Sequence, residues 1–371
     1  MHPAASPDSS KRPGNGGRRR KKAIIHEAET PAAGTSRIFL VLPLCYPVLP
    51  PFQRPKIYLA GSGVYFPEER ITNRDLLAKI DTTEEWLDSR IGIRERRKAP
   101  AEVNTSDLGA LATRVALADA GWSPASVELL VCATSTPDNL IPATASFICQ
   151  KIGMNPVAFD VNAACSGFVY GLAVAQSLMQ TVGYRRALLC TAEKYTRVTD
   201  YTDRSTCVFF GDSAATVALQ PEEPQLGAEV VDVTMRNYNE GAALVQTPVG
   251  GYFMQDGPRT KEIALEAFTS SAGEMLRRHG LAMRDIRAFM GHQANLRVLE
   301  TVGEKLGVSN GQHWYNVDMF GNQGAAGVIT TLCGGIRARA GELRHDDWLL
   351  CTVFGSGFTS GSALLRWIDR R

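Results

Sequence analysis

A chain of 371 residues, 44% hydrophobic and 21% charged, can bury a large core, which excludes wholesale disorder. Its net charge of +2 is unevenly placed: residues 1–54 hold nine Lys/Arg against three Asp/Glu, so the other 317 are mildly acidic at −4, which argues against a nucleic-acid-binding body. Eight cysteines without a C-x-x-C pair argue against a disulfide scaffold, and six scattered histidines without H-E-x-x-H spacing give no metal site.

In chain order, residues 1–54 read as a disordered or non-native extension. Its most apolar run, Ile38 to Leu49, is broken by Pro43 and Pro47, is shorter than the ~20 residues of a membrane span and lacks a small-x-small cleavage site. Order is expected from about Lys56, where IYLAGSGVYFP alternates as a strand and stops at glycine and proline. Strands are expected over 127–134, 186–192 and 347–353, alternating with amphipathic helices, so the class is α/β. Cys132, Cys190 and Cys351 lie inside those apolar runs and read as reduced core thiols, which fits a cytoplasmic setting. The polar, proline-containing stretch 221–229 separates an N-terminal half, 55–222, from a C-terminal half, 223–371.

The halves repeat. LLVCATS, a helix, VAFDVNAACSG, a helix and LLCT (188–191) correspond to AFMGHQA, a helix, HWYNVDMFGNQG, a helix and LLCT (349–352). The two LLCT segments are 161 residues apart, and Cys165 and Asn322 are 157 apart. Two βαβ-containing halves predict one two-lobed molecule with a pseudo-dyad and a site where equivalent strand ends meet. Cys165, His292 and Asn322 all fall at strand-to-helix junctions. A cysteine at the start of a helix with the apolar face Phe168, Leu172, Ala175, Leu178 feels the positive end of the helix dipole, which predicts a lowered thiol pKa. Taken singly, each of the three has an ordinary reading, as a core thiol, a structural histidine and a turn asparagine.

NAACSGF, GHQANLR, FGNQGAAG and FGSGFTSGSALLR, with IYLAGSGVYFPEERITNRDL, DTTEEWLDSRIGIRERR and DYTDRSTCVFFGD, together resemble the β-ketoacyl-acyl-carrier-protein synthase III family of thiolase-fold condensing enzymes, over residues 56–371 in order. The resemblance implies a layered αβαβα thiolase-like fold of two duplicated halves, and a cytoplasmic homodimer with no tightly bound cofactor. The implied reaction condenses an acyl-CoA with malonyl-acyl-carrier-protein through an acyl-cysteine, without nucleic acid or membrane as partner. It makes Cys165 the nucleophile and His292 and Asn322 its catalytic partners, with backbone N–H groups of Cys165 and Ser356 as the oxyanion hole. Thr82, Trp86, Arg90, Arg204 and Asn295 match CoA-binding positions, Arg297 a carrier-protein docking position, and Ile141 and Phe210 acyl-pocket positions.

The sequence departs from the family pattern in four places. The usual Gly-Asn-Thr-Ser-Ala-Ala is Gly321-Asn322-Gln323-Gly324-Ala325-Ala326, Ser356 replaces the middle glycine of three, Ile141 stands where some members place Phe, and Lys261 stands at an often aromatic position. Arg259 or Lys261 suggests a carboxylated acyl donor. Three other functions compete: condensation or plain acyl transfer in secondary metabolism or biotin-precursor synthesis, a cysteine protease of Cys…His…Asn order, and a non-catalytic CoA-binding scaffold. The protease lacks the C-G-[SA]-C-[WY] signature, and the scaffold normally requires a lost nucleophile.

Overall fold

The computed structural model describes residues 54–371; the basic extension and its Ile38–Leu49 run lie outside the described residues. In the first half, β1 (Tyr58–Tyr65) leads to α1 (Thr105–Asp119), β2 (Leu129–Ala133), α2 (Thr144–Ile152), β3 (Val157–Val161), α3 (Gly167–Val182), β4 (Ala187–Glu193) and β5 (Ser213–Gln220). The second half follows the same succession: β6 (Leu226–Asn237), α4 (Gly257–Arg278), β7 (Ile286–Gly291), α5 (Leu296–Leu306), β8 (His313–Trp314), α6 (Ala326–Arg339), β9 (Trp348–Gly355) and β10 (Thr359–Asp369).

Strand pairing repeats as well. The order is β3-β2-β4-β5-β1 in one half and β8-β7-β9-β10-β6 in the other. In both, the first three strands are parallel and the last two antiparallel. The halves join where β1 meets β6, at Tyr58 opposite Glu229 and Leu59 opposite Ala228, so all ten strands form one ladder. The boundary expected over 221–229 overlaps the link between the halves, which runs from the end of β5 at Gln220 to the start of β6 at Leu226. Only 221–225 is loop, because Leu226–Glu229 already belong to β6, and Glu229 is clamped there by Lys56 and Arg366.

Side-chain alternation along the strands builds the layers. On β2, Leu129 and Val131 face a central core shared with Phe168, Leu172 and Val328, while Leu130 and Cys132 face an outer core with Leu108 and Ile148. On β9, Leu349 and Cys351 point into the central core, and Leu350 and Phe354 pack outward with Phe268. Strands buried on both faces read as continuous apolar runs, as these do. Helices α3 and α6 pack on each other and on strands of both halves, with α1 and α2 outside one half and α4 and α5 outside the other. That is the αβαβα layering. Full burial of a Leu or Phe side chain contributes about 1.5–3 kcal/mol. On α3 the buried face is Phe168, Leu172, Ala175 and Met179, with the expected Leu178 only half-buried. The seven described cysteines, Cys132, Cys190 and Cys351 among them, are free thiols. No helix among the described residues is long and apolar enough to cross a membrane.

Candidate active site

Cys165 sits in a single 3₁₀ turn, Ala164–Ser166, between β3 and α3. The turn is sharp: Ala164 adopts φ 46°, a left-handed conformation that costs a non-glycine residue about 1–2 kcal/mol. Its repeat partner 157 residues on is Gly321, at φ 68°, so both halves take a positive φ just before the candidate residue. The end of β9 lies against this turn; a methyl group on Gly355 would stand 2.8 Å from the Cys165 amide nitrogen. Burial, with the Glu193 charge second, pushes the Cys165 thiol up to about 12. This is opposite in direction to the lowering expected from the helix terminus, and burial is its largest cause.

His292 extends β7 by one ladder bond, its N–H donating to Thr352 O at 2.9 Å. It is 2% exposed and packs edge-on against Phe354, 4.9 Å between ring centres. Burial pushes its imidazole down to about 3, so the ring is neutral. Nδ1 is enclosed with no partner among the described residues. An enclosed lone pair is tolerated better than an enclosed N–H, which assigns the ring proton to Nε2. Gln293 holds the loop behind it, donating to Gly291 O at 2.7 Å and accepting from the N–H groups of Asn316 and Val317, both at 3.0 Å. Asn295 caps α5, its Oδ1 accepting from Val298 N–H at 2.9 Å.

Asn322 is pinned by backbone bonds to the Phe209–Gly211 segment, Asn322 N–H to Phe209 O at 2.8 Å and Gly211 N–H to Asn322 O at 3.0 Å. Its side-chain Oδ1 accepts from Gly324 N–H at 3.0 Å, which leaves the amide N–H groups as its free donors. The unusual neighbours now have physical reasons. Gln323 is buried and bonded at both ends, with Oε1 accepting from Ser213 and Thr330 and Nε2 donating to Asn316. Gly324 makes room for an aromatic ring: a Cβ there would lie 2.2 Å from Tyr195 Cε2.

Cys165, His292 and Asn322 line one cavity of about 520 Å³, together with Phe210, Asn295, Lys261 and Ser356. Its wall is aromatic. Phe210 stacks on Tyr195 at 4.6 Å and meets Phe253 edge-on at 4.6 Å. The Ser356 hydroxyl donates to the O of Val245, another lining residue. Lys261 is exposed on the lining, whereas Arg259 is outside it and lies 3.9 Å from Asp256. Among the described residues no three His, Cys, Asp or Glu side chains gather as a metal site.

The remaining sequence-predicted residues lie outside this lining. Thr82, Trp86 and Arg90 are on or beside the helix Glu84–Arg90, whose end is tied to α5 by Leu296 N–H to Ile91 O at 3.0 Å. Arg204 lies over the Trp86 ring at 5.0 Å. A planar base between them needs about 7 Å, twice a ~3.5 Å carbon contact, so Arg204 must swing out to admit one. The hydroxyl of Thr82 is enclosed without a partner among the described residues. Arg297 donates to Asp88 O at 2.7 and 3.0 Å and pairs with Glu300 at 2.8 Å, so much of its charge is already engaged. Ile141 is 86% exposed on the β2–α2 loop, away from this chain's cavity.

Sequence reasoning missed Tyr195, Phe253, Ser135 and Glu193. The internal repeat carried a signal for two of them. With the LLCT segments superposed Glu193 matches Phe354, and the pairing of β2 with β4 and of β7 with β9 then sets Thr134-Ser135 against His292-Gln293.

A half-buried thiol, a neutral imidazole and an amide with free N–H groups converge in a duplicated αβαβα fold on an aromatic cavity, the set of groups that acyl transfer through a thioester requires. The sequence profile described as 3-Oxoacyl-[acyl-carrier-protein (ACP)] synthase III matches residues 159–239, and its C-terminal counterpart residues 276–367. A beta-ketoacyl-[acyl-carrier-protein] synthase III of Alkalilimnicola ehrlichii is 39% identical over 321 residues, covering 83% of this chain and 98% of the relative. The crystal structure of 3-oxoacyl-[acyl-carrier-protein] synthase III from Aquifex aeolicus VF5 superposes with TM-score 0.79 at 32% identity, covering 84% of this chain and 99% of that one. The priming beta-ketosynthase of the R1128 polyketide biosynthetic pathway also reaches TM-score 0.79, at 30% identity over 88% of this chain and 100% of that one. The chain belongs to the β-ketoacyl-[acyl-carrier-protein] synthase III family, and it is an acyltransferase of the condensing type.

Proposed function

We propose that this enzyme condenses an acyl-CoA with malonyl-acyl-carrier-protein to give 3-oxoacyl-acyl-carrier-protein, CO₂ and CoA, with Cys165 carrying the acyl group between two half-reactions. The observation that carries the reading is the convergence of Cys165, His292 and Asn322 on one apolar cavity. In the first half-reaction the Cys165 thiolate attacks the acyl thioester and CoA leaves. In the second, decarboxylation of the malonyl thioester leaves an enolate whose oxygen takes hydrogen bonds from His292 Nε2–H and the Asn322 amide. The enolate then attacks the acyl-Cys165 carbonyl, whose oxyanion is met by the backbone N–H groups of Cys165 and Ser356. The reaction balances with no bound cofactor.

CoA enters past the helix Glu84–Arg90, with its adenine between Trp86 and a displaced Arg204, polar contacts from Thr82 and Arg90, and its pantetheine arm by Asn295. The docking carrier protein, which is acidic, meets Arg297 at the same rim. Trp86→Ala is expected to raise KM for acyl-CoA about tenfold, the loss of a stacking and cation–π contact of ~1–2 kcal/mol. KM for an acyl-pantetheine thioester, which lacks the nucleotide, stays unchanged; equal effects on both would remove Trp86 from the nucleotide site.

A homodimer completes the enzyme. β3 is the edge strand of its half, with Val157 exposed, and Phe159, Val174, Leu178 and Met235 form an apolar surface beside it. Leu140 and Ile141 are 77% and 86% exposed, which supports a role for this loop in the partner's acyl pocket. Such a soluble two-substrate enzyme works in the cytoplasm.

The donor is read by intact-protein mass after exposure to acetyl- through octanoyl-CoA, succinyl-CoA and glutaryl-CoA, then to malonyl-acyl-carrier-protein. The aromatic cavity predicts discharge of at least one adduct with CO₂ release. An adduct that malonyl leaves untouched would place the enzyme among acyltransferases acting on another acceptor. The cavity-lining Lys261 offers a counter-charge to a carboxylated donor, so Lys261→Ala is expected to reduce glutaryl transfer several-fold relative to acetyl transfer. An unchanged ratio dismisses that role.

A further inference from the structure

Cys165 has a hydrogen-bond partner that the condensation chemistry above leaves unused. Its Sγ lies 3.9 Å from Tyr195 Oη, Tyr195 Oη lies 2.7 Å from Ser135 Oγ, and Ser135 Oγ lies 3.0 Å from Glu193 Oε1. Counting protons fixes the direction of this chain. An ionised carboxylate only accepts, so Ser135 spends its one proton on Glu193. Ser135 must then accept from the Tyr195 hydroxyl, and Tyr195, its proton spent, can only accept from the Cys165 thiol. The three links point one way, from sulfur to carboxylate.

We propose that Tyr195 and Ser135 relay the Cys165 proton to Glu193, so that Glu193 is the base that generates the thiolate for acyl transfer. Three protons shift together: S–H to Tyr195 Oη, Tyr195 O–H to Ser135 Oγ, and Ser135 O–H to Glu193. The products are a thiolate and a neutral carboxylic acid. The Cys165 sulfur–carbon bond then forms, the carbon–sulfur bond to CoA breaks, and the proton returns along the same chain to the departing CoA thiolate. The inference rests on Cys165 being the acyl acceptor.

The surroundings suit the role. The Cys165 thiol, pushed up to about 12, stays protonated at neutral pH unless a base takes its proton. His292, at about 3, is a poor base, and among the described residues it makes no hydrogen bond to Cys165. Glu193 is fully buried, and burial pushes its carboxyl up to about 7, where it can both take and return a proton. The other charged groups nearby are engaged elsewhere. Lys194 turns its ammonium to the carbonyls of Pro100, Ala101 and Val103, and Arg197 donates to those of Thr136 and Pro137. Asp160 accepts from the N–H groups of Thr144 and Ala145, and Asp212 from those of Ala99 and Thr196. Cys132 and Cys190 are buried on the strands that flank the site. Gly324, in place of the family's serine, is what allows the Tyr195 ring to stand here.

The test is the rate of Cys165 alkylation by iodoacetamide, resolved by peptide mass and followed against pH, in wild type, Tyr195→Phe, Ser135→Ala and Glu193→Gln. Wild type is expected to show an inflection near neutrality, with reactivity rising as Glu193 becomes able to accept a proton. The variants lose that inflection, and their rates at about pH 7.5 fall on the order of 10²-fold. Tyr195→Phe keeps the ring stacked on Phe210, so it carries the test if Glu193→Gln does not fold. A wild-type profile in folded Tyr195→Phe and Ser135→Ala overturns the relay, as does a lowered melting temperature with no change in profile. Alkylation needs no acyl donor. An unchanged profile beside normal acylation therefore defeats the relay alone, whereas failure of every acyl-CoA to modify Cys165 defeats the functional reading.

Discussion

In Asn322→Ala and His292→Ala enzymes, Cys165 is expected to acylate at close to the wild-type rate while condensation falls by about 10²–10³ for each. The split follows from where the donors point. The Asn322 carbonyl oxygen is held by Gly324 N–H, so only its N–H groups remain to serve a substrate oxygen, and the neutral His292 ring offers one N–H. Neither bonds to Cys165 Sγ among the described residues. The groups therefore act on the enolate in the second half-reaction and are spectators in the first. Burst measurements of CoA release, set against steady-state 3-oxo product, separate the steps. A comparable loss of both would instead make His292 or Asn322 part of thiol activation.

Cys165→Ala gives the complementary result. It forms no acyl adduct and loses condensation by at least about 10⁴-fold, because no other group can hold the acyl chain. It still releases CO₂ from malonyl thioester. The donors do not depend on the sulfur for their placement: Asn322 hangs from the Phe209–Gly211 segment and His292 from Thr352, on backbone bonds the substitution leaves alone. Parallel assays of ¹⁴CO₂ release and product formation check this. Loss of both activities in a folded Cys165→Ala enzyme would mean that decarboxylation requires the acyl-enzyme.

Much of this architecture was legible because duplication writes the same order of elements twice. The LLCT strands, the three strand-to-helix junctions and the 157-residue offset between Cys165 and Asn322 point in the sequence to one site for Cys165, His292 and Asn322. The polar, proline-containing run 221–229 reads as a linker, and 221–225 is one, while its last four residues begin β6, the strand that seams the halves. The thiol was misread because a helix start is visible in sequence and an enclosing cavity is not. Tyr195, Ser135 and Glu193 escaped notice for a related reason: only folding brings the end of β2, the end of β4 and the nucleophile turn together. Gln323 and Gly324 looked like departures from a motif; they are the hydrogen-bonded brace and the clearance that their neighbours require.

The central claim, that Cys165 carries an acyl group which malonyl-acyl-carrier-protein then discharges with loss of CO₂, is tested most directly by intact-protein mass. Wild-type protein incubated with each acyl-CoA is predicted to gain one acyl mass on Cys165, then to return to its starting mass when malonyl-acyl-carrier-protein is added, releasing one CO₂ per adduct. An adduct on another residue, or a Cys165 adduct that persists through malonyl addition, would contradict it.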